Sequence, residues 1–292
     1  LGAEIREDGC CVQARAGRLA GGTIRLPYPS VGATENALLA AALADGDTVI
    51  LGAAREPEIE ELCRFINAMG GEVSGGGTGR IRIRGKKKLH GCRFQAPGDR
   101  IVAGTYLMAA MAGRGEVELA GVRPEHLKEV IRTLERAGAV FDISETAVTV
   151  SMAGRPLPLQ VETGPYPGFP TDLQSPVMGL LCCASGVSRI RETVFEGRYE
   201  TAAELEKLGA SVTVREGEAL VRGRPVLRGG RAGARDLRGG AALVVAGLAA
   251  EGETEIYDCF HIERGYEDIC RDLRLAGADI RWQRQEAKEK EN

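Results

Sequence analysis

PSVGATENALLAAALADGDTVILGAAREPEIEELCRFINAMGGEV, residues 29–73, reads in order as a capped apolar helix, a short strand, an amphipathic helix and a glycine stop. In TENALLAAALADG the apolar positions follow helical rather than alternating order and cover nearly every face, so the helix is expected inside the protein. EPEIEELCRFINAMG is amphipathic and is expected to lie half exposed. Gly46 and Gly70 stand just past the two helices, where a left-handed cap suits a residue without Cβ.

Working outward, the same pattern recurs along the chain. LGAEI, MGGEV, AGAVF, LGASV and AGADI place a helix-ending glycine at Gly2, Gly70, Gly138, Gly209 and Gly277, with separations of 68, 68, 71 and 68 residues. A second series, ADGDTVI, GRGEVEL, ASGVSRI and AEGETEI, marks Gly46, Gly115, Gly186 and Gly252, separated by 69, 71 and 66. A period sustained through four or five copies predicts repeated α/β units of about 68 residues. Their apolar first helices pack inside and their short strands lie outside, and each unit closes with a hairpin such as ASVTVREGEALVRG. The chain then holds four nearly complete units plus the tail of a fifth at residues 1–23, with a boundary near residue 97, where APGDR closes one unit and opens the next. Residues 283–292 read as a polar tail.

Composition excludes several classes. The 38 Lys and Arg nearly balance the 41 Asp and Glu, and aromatics are only 4%, which is not the basic, aromatic-studded surface of a nucleic-acid binder. No apolar run reaches membrane-spanning length, and LGAEIREDGCC has neither the basic nor the apolar block of a signal peptide, so a soluble chain is expected. The eight cysteines, at 10, 11, 63, 92, 182, 183, 259 and 270, are expected as reduced core thiols. His90, His126 and His261 are widely spaced and no C-x-x-C occurs, so no metal site is expected.

Ser30, Asp99, Asp172 and Asp236 occupy equivalent places, 16, 16, 14 and 16 residues before their glycines. Ser30, Asp99 and Asp236 are expected as helix N-caps. Asp172 differs, because Pro165, Pro167 and Pro170 in PYPGFPT stiffen a loop that presents Thr171 and Asp172. Arginines also recur at repeat-equivalent loops: Arg55, Arg198 and Arg264 precede second helices, and Arg100 and Arg238 follow first-helix caps. Converging guanidiniums beside helix N-termini suit a small polyanion. SGGGTGR at 74–80 lacks the ending of a phosphate loop and is expected as a hairpin turn, and Lys86–Lys88 as a solvated strand end.

The strings PSVGATENALLAAALADGDTVI, AAREPEIEEL, PYPGFPTDLQ, TVFEGRYE, RDLRGGAALVVAGL and HIERGYED resemble the UDP-N-acetylglucosamine 1-carboxyvinyltransferases, over residues 1 to about 282. The resemblance implies the enolpyruvyl transferase fold, an inside-out α/β barrel with helices inside and sheets outside. Residues 1–97 would then be the remainder of a first domain and 98–282 a second, with substrates bound between domains. It implies transfer of the enolpyruvyl group of phosphoenolpyruvate to the 3′-hydroxyl of UDP-N-acetylglucosamine with release of phosphate, in the cytoplasm, as the first committed step of peptidoglycan precursor synthesis, without a cofactor. Asp172 would be the catalytic carboxylate at the sugar hydroxyl, and Thr171 and Val194 would line the sugar-nucleotide site. Ser30, Val31 and Gly32 would meet its diphosphate or uridine end, and Arg198, Arg238 and Arg264 would hold phosphoenolpyruvate.

The family's amino-terminal Lys-Asn pair and its loop carrying a catalytic Cys or Asp would precede Leu1. The expectation is therefore a carboxy-terminal two-thirds whose isolated chain is weakly active or inactive and whose partners include the missing repeats. Four positions depart from the family pattern: Gly197 for Asn, Thr201 for His, Gly239 for Ala and Glu263 for Asp. Two alternatives stand beside this reading: a non-catalytic sugar-nucleotide-binding or regulatory homologue and a shikimate-phosphate enolpyruvyl transferase.

Overall fold

The computed structural model describes residues 1–283. The expected polar tail lies, apart from Gln283, outside the described residues. The chain divides into two compact units, one made of Leu1–Pro97 with Pro165–Gly168, the other of Gly98–Gly164 with Phe169 onward.

In the first unit, β1 (Glu4–Asp8) and β2 (Cys11–Arg15) form an antiparallel hairpin exposed on both faces. Next come β3 (Thr23–Arg25), α1 (Val31–Ala42), β4 (Asp47–Leu51), α2 (Pro57–Ala68), β5 (Glu72–Ser74) and β6 (Arg80–Arg84). The sheet order is β3-β4-β6-β5, with β3 and β4 parallel and β6 antiparallel to both neighbours. A parallel pair needs a crossover, which α1 supplies, and the SGGGTGR turn joins the antiparallel pair β5 and β6.

The second unit opens with α3 (Arg100–Ala112), β7 (Glu116–Ala120), α4 (Lys128–Arg136), β8 (Val140–Ile143) and β9 (Ala147–Ser151), forming a sheet of order β7-β9-β8. It continues with β10 (Gln160–Glu162), α5 (Gln174–Leu181), β11 (Val187–Arg191), α6 (Thr201–Glu206), β12 (Ser211–Arg215) and β13 (Glu218–Arg222). Their order, β10-β11-β13-β12 with the first pair parallel, repeats that of the first unit. The last copy has β14 (Leu227–Arg228), β15 (Arg231–Gly233), α7 (Leu237–Leu248), β16 (Ala250–Glu251) and β17 (Glu255–Tyr257), paired in parallel as β14 with β16 and β15 with β17. It ends with α8 (Phe260–Glu263) and α9 (Ile269–Leu275), where the repeat predicts one helix; the buried Tyr266 lies in the break.

The helix trio α3, α5 and α7 forms the centre of the second unit. Every residue of α5 is buried, as are Gly239–Ala246 of α7 and most of α3. The strands around it alternate, with Ile190 of β11 and Val221 of β13 buried and Arg189 and Arg222 exposed. Helices therefore lie inside and sheets outside, as expected. Close packing of α5 on α7 depends on Gly179, where an added Cβ would stand 2.4 Å from the Ala242 carbonyl oxygen.

Three expectations need correction. First, α1 is not buried on most faces: Thr34, Leu38, Ala41 and Ala42 are covered, but Leu39 and Leu43 are 58% and 51% exposed. Its own sheet covers one side, whereas α5 is flanked by two other central helices. Second, the glycine stops hold with positive φ at Gly2, Gly46, Gly70, Gly138, Gly209, Gly252 and Gly277, but at Gly115 the preceding Arg114 takes the left-handed conformation (φ 53°), and Gly186 does not take it. Third, all eight cysteines are free, but only Cys63, Cys182, Cys183 and Cys270 are buried. Burial pushes the Cys63 thiol up to about 11. Cys10, Cys11 and Cys92 are exposed, the first two because the β1–β2 hairpin covers no core.

Candidate active site

Two chain segments lead into central helices of the second unit, α5 and α7, and a third leads into α6, which packs on α7. PYPGFP leads into a short 3₁₀ turn, Thr171–Leu173, before α5. The loop after β11 leads through a second 3₁₀ turn, Arg198–Glu200, into α6. Asp236 caps α7 by accepting from the Arg238 and Gly239 amides at 2.8 and 2.9 Å. Asp99 caps α3 and Ser30 caps α1 in the same way, whereas α5 has no side-chain cap. The carboxylate of Asp172, at the equivalent place, is turned elsewhere.

Asp172 accepts from Arg238 Nη2 at 2.8 Å through one oxygen and from Arg198 Nη2 through the other. Its side chain is 37% exposed, while those of Arg198 and Arg238 are 14% and 15% exposed. Burial works against the carboxylate, but the guanidiniums of Arg238 and Arg198 outweigh it and hold Asp172 below the usual carboxylate range. Among these three side chains the balance is one negative against two positive charges, which suits a further anion on the guanidiniums. Arg198 Nε is buried without a partner, and the Arg198 guanidinium lies over the Phe195 ring, 4.7 Å from its centroid. Arg238 stands against the buried Tyr266, whose hydroxyl shares a 2.9 Å hydrogen bond with Thr105.

Beside this cluster lies Glu192, which was not singled out in the sequence. Its Oε1 accepts from the Thr163 hydroxyl at 2.7 Å and from the amides of Val194 and Phe195 at 2.8 and 3.0 Å. Its Oε2 accepts from the Thr171 hydroxyl at 3.0 Å. Its sequence signal is its place immediately before TVFEGRYE, one of the strings that carry the resemblance, and two residues before Val194.

The candidate residues thus fall into three groups. Thr171, Asp172, Val194, Arg198 and Arg238 come together in the second unit, Val194 through its amide on Glu192. Arg264, at the end of α8, is exposed and joined to none of them by a hydrogen bond or ion pair among the described residues. Ser30, Val31 and Gly32 belong to the first unit, where the Ser30 hydroxyl accepts from Ala33 at 3.3 Å and an added Cβ at Gly32 would meet open space. Arg55 is exposed in that unit. Within it, too, Glu56 accepts from the Tyr166 amide at 3.2 Å, anchoring the PYPG loop. No helix among the described residues is long and apolar enough to cross a membrane.

The sequence and the fold of this chain have known relatives. The family model of EPSP synthase (3-phosphoshikimate 1-carboxyvinyltransferase) matches residues 1–273. The chain belongs to this family. Within the EPSP synthase family, it is 47% identical over 285 residues to a UDP-N-acetylglucosamine 1-carboxyvinyltransferase of Rhodospirillum centenum, covering 96% of this chain and 66% of the relative. It is 46% identical over 282 residues to UDP-N-acetylglucosamine 1-carboxyvinyltransferase 2 of Carboxydothermus hydrogenoformans, covering 96% and 67%. The chain thus spans about two thirds of the length of these curated relatives. Among solved structures, the enolpyruvyl transferase NikO from Streptomyces tendae superimposes with a TM-score of 0.85 at 28% identity, covering 96% of this chain and 69% of that one. EPSP synthase from Acinetobacter baumannii, at 22% identity and a TM-score of 0.68, covering 94% and 68%, shares the fold.

Proposed function

We propose that this chain serves the transfer of the enolpyruvyl group of phosphoenolpyruvate to the 3′-hydroxyl of UDP-N-acetylglucosamine, with release of phosphate. It would act in the cytoplasm, at the entry to peptidoglycan precursor synthesis. On this reading residues 1–97 and 98–282 belong to two enolpyruvyl transferase domains. The observation that carries it is Asp172 held between Arg198 and Arg238, in a chain 46–47% identical to proteins of that name.

The chemistry asks for such a group. The sugar oxygen bonds to C2 of phosphoenolpyruvate as its proton leaves to a base, and the methylene carbon takes a proton from an acid. The tetrahedral adduct then loses phosphate and a methyl proton to give the enol ether. Asp172 supplies the base, and guanidiniums stabilise phosphate and carboxylate as charge shifts between them. With both arginines on it, Asp172 is a poor base. Anions of phosphoenolpyruvate compete for the same N–H groups; as the guanidiniums turn to them, Asp172 loses the charges that hold its pKa down and becomes better able to take the proton. Val194 and Thr171 line the sugar side, and Ser30, Val31 and Gly32 the nucleotide end. Arg264 joins Arg198 and Arg238 on phosphoenolpyruvate by a side-chain movement from its exposed position.

Because the matching family model carries the name of the shikimate enzyme, substrate choice is the direct test. Calorimetric titration of the purified chain is expected to give saturable binding of UDP-N-acetylglucosamine and none of shikimate 3-phosphate. The reverse preference would assign the chain to the shikimate reaction, and binding of neither by a folded chain would remove the proposal.

A further inference from the structure

We propose that Glu192 is a positioning residue of this site, which commits the Thr171 proton to itself and so presents the Thr171 oxygen, next to Asp172, to the ligand as a hydrogen-bond acceptor. The inference rests on the preceding reading that Asp172 and Thr171 face the sugar nucleotide. A hydroxyl has one proton to give and two lone pairs, whereas a carboxylate only accepts. Thr171 Oγ1, 3.0 Å from Glu192 Oε2, must therefore be the donor of that bond, and what it retains is acceptor capacity. The same holds for Thr163, which donates to Glu192 Oε1 at 2.7 Å while accepting from the Thr193 amide at 3.0 Å. Donor direction at both threonines is thus set by one carboxylate.

Glu192 is itself fixed. Its amide donates to the Tyr199 hydroxyl at 3.0 Å, and that hydroxyl lies 2.9 Å from the Gly217 carbonyl and 3.0 Å from that of Ile190. Through the Phe195 amide it also holds the ring beneath the Arg198 guanidinium. One side chain therefore reaches Asp172 from two directions: through its neighbour Thr171 and through Arg198. A ligand hydroxyl or amide that donates to Thr171 is accepted; a ligand acceptor in that place meets lone pairs and is rejected.

Glu192→Gln separates positioning from structural support. The carboxamide oxygen keeps the Val194 and Phe195 amides, while its NH₂ now donates to Thr171 and reverses that bond. The variant is expected to melt with the wild type and to bind UDP-N-acetylglucosamine at least tenfold more weakly. Thr171→Val should lose about as much, and the double variant no more than the worse single one, because both changes act through the one Thr171 hydroxyl, which the first turns round and the second removes. Wild-type affinity in Glu192→Gln, additive losses in the double variant, or a fall in melting temperature accompanying the loss would each overturn the inference. Failure of the wild-type chain itself to bind would overturn the functional reading and this inference with it.

Discussion

At the scale of single residues, three of the four expected departures from the family pattern, Gly197, Thr201 and Gly239, have physical accounts, and nothing in the structure explains Glu263. Gly197 sits at φ 86°, a left-handed conformation that glycine and asparagine tolerate better than other residues, so Gly for Asn preserves the turn that aims Arg198. Gly239 and Thr201 are one change rather than two: a Cβ at 239 would fall 2.4 Å from Thr201 Oγ1, an atom already buried without a partner. Gly239→Ala is expected to lower stability by about 1–3 kcal/mol in denaturant unfolding, and Thr201→Ala in the same chain to restore most of it. Glu204 provides a pH handle on stability. Its side chain is 1% exposed, and burial alone would raise its pKa. The Gly233 amide at 2.8 Å, with Lys207 and Arg235, instead lowers it to about 2. Since that lies below the unfolded value of about 4.3, the contribution is complete above that pH and is lost as pH falls toward 2. Melting temperature should therefore fall through this window in the wild type and fall less steeply in Glu204→Gln; parallel curves would contradict the assignment.

At the scale of elements, most of the architecture was legible because two local signals agree: an apolar helix in helical period, and a glycine where the chain must turn left-handed. The signals fail where tertiary packing decides. Arg114 accepts φ 53° in place of Gly115, and the last second helix breaks into α8 and α9 around the buried Tyr266. Likewise, TENALLAAALADG looks apolar all round, yet its burial is partial because its sheet and α2 cover it while Leu39 and Leu43 stay exposed. That asymmetry is testable within two adjacent residues of α1. Leu38→Ala, which empties a fully buried position, should cost about 2–4 kcal/mol, and Leu39→Gln, at an exposed one, less than about 0.5 kcal/mol. Equal costs in chemical denaturation would mean that the exposed face of α1 is covered in solution.

At the scale of the whole molecule, the expectation that arginines at repeat-equivalent loops converge holds for two of them, Arg198 and Arg238, which meet on Asp172. What the sequence could not reveal is what each side chain meets there. Asp172 read as a presented carboxylate and is instead held by two of the arginines expected on the ligand, while Arg264, equivalent in sequence to Arg198, stays exposed. Glu192 escaped notice because nothing local distinguishes a glutamate that gathers two hydroxyls and two amides from one in water. The central claim is that Asp172 serves the sugar nucleotide and competes with phosphoenolpyruvate for Arg198 and Arg238. The most direct measurement is calorimetric titration of the wild type and Asp172→Asn with each ligand separately. The account predicts opposite signs: UDP-N-acetylglucosamine binding weakened at least tenfold, about 1.4 kcal/mol, and phosphoenolpyruvate binding strengthened because the guanidiniums are no longer engaged. Unchanged affinity for the sugar nucleotide, or weaker binding of phosphoenolpyruvate by a folded variant, would contradict it.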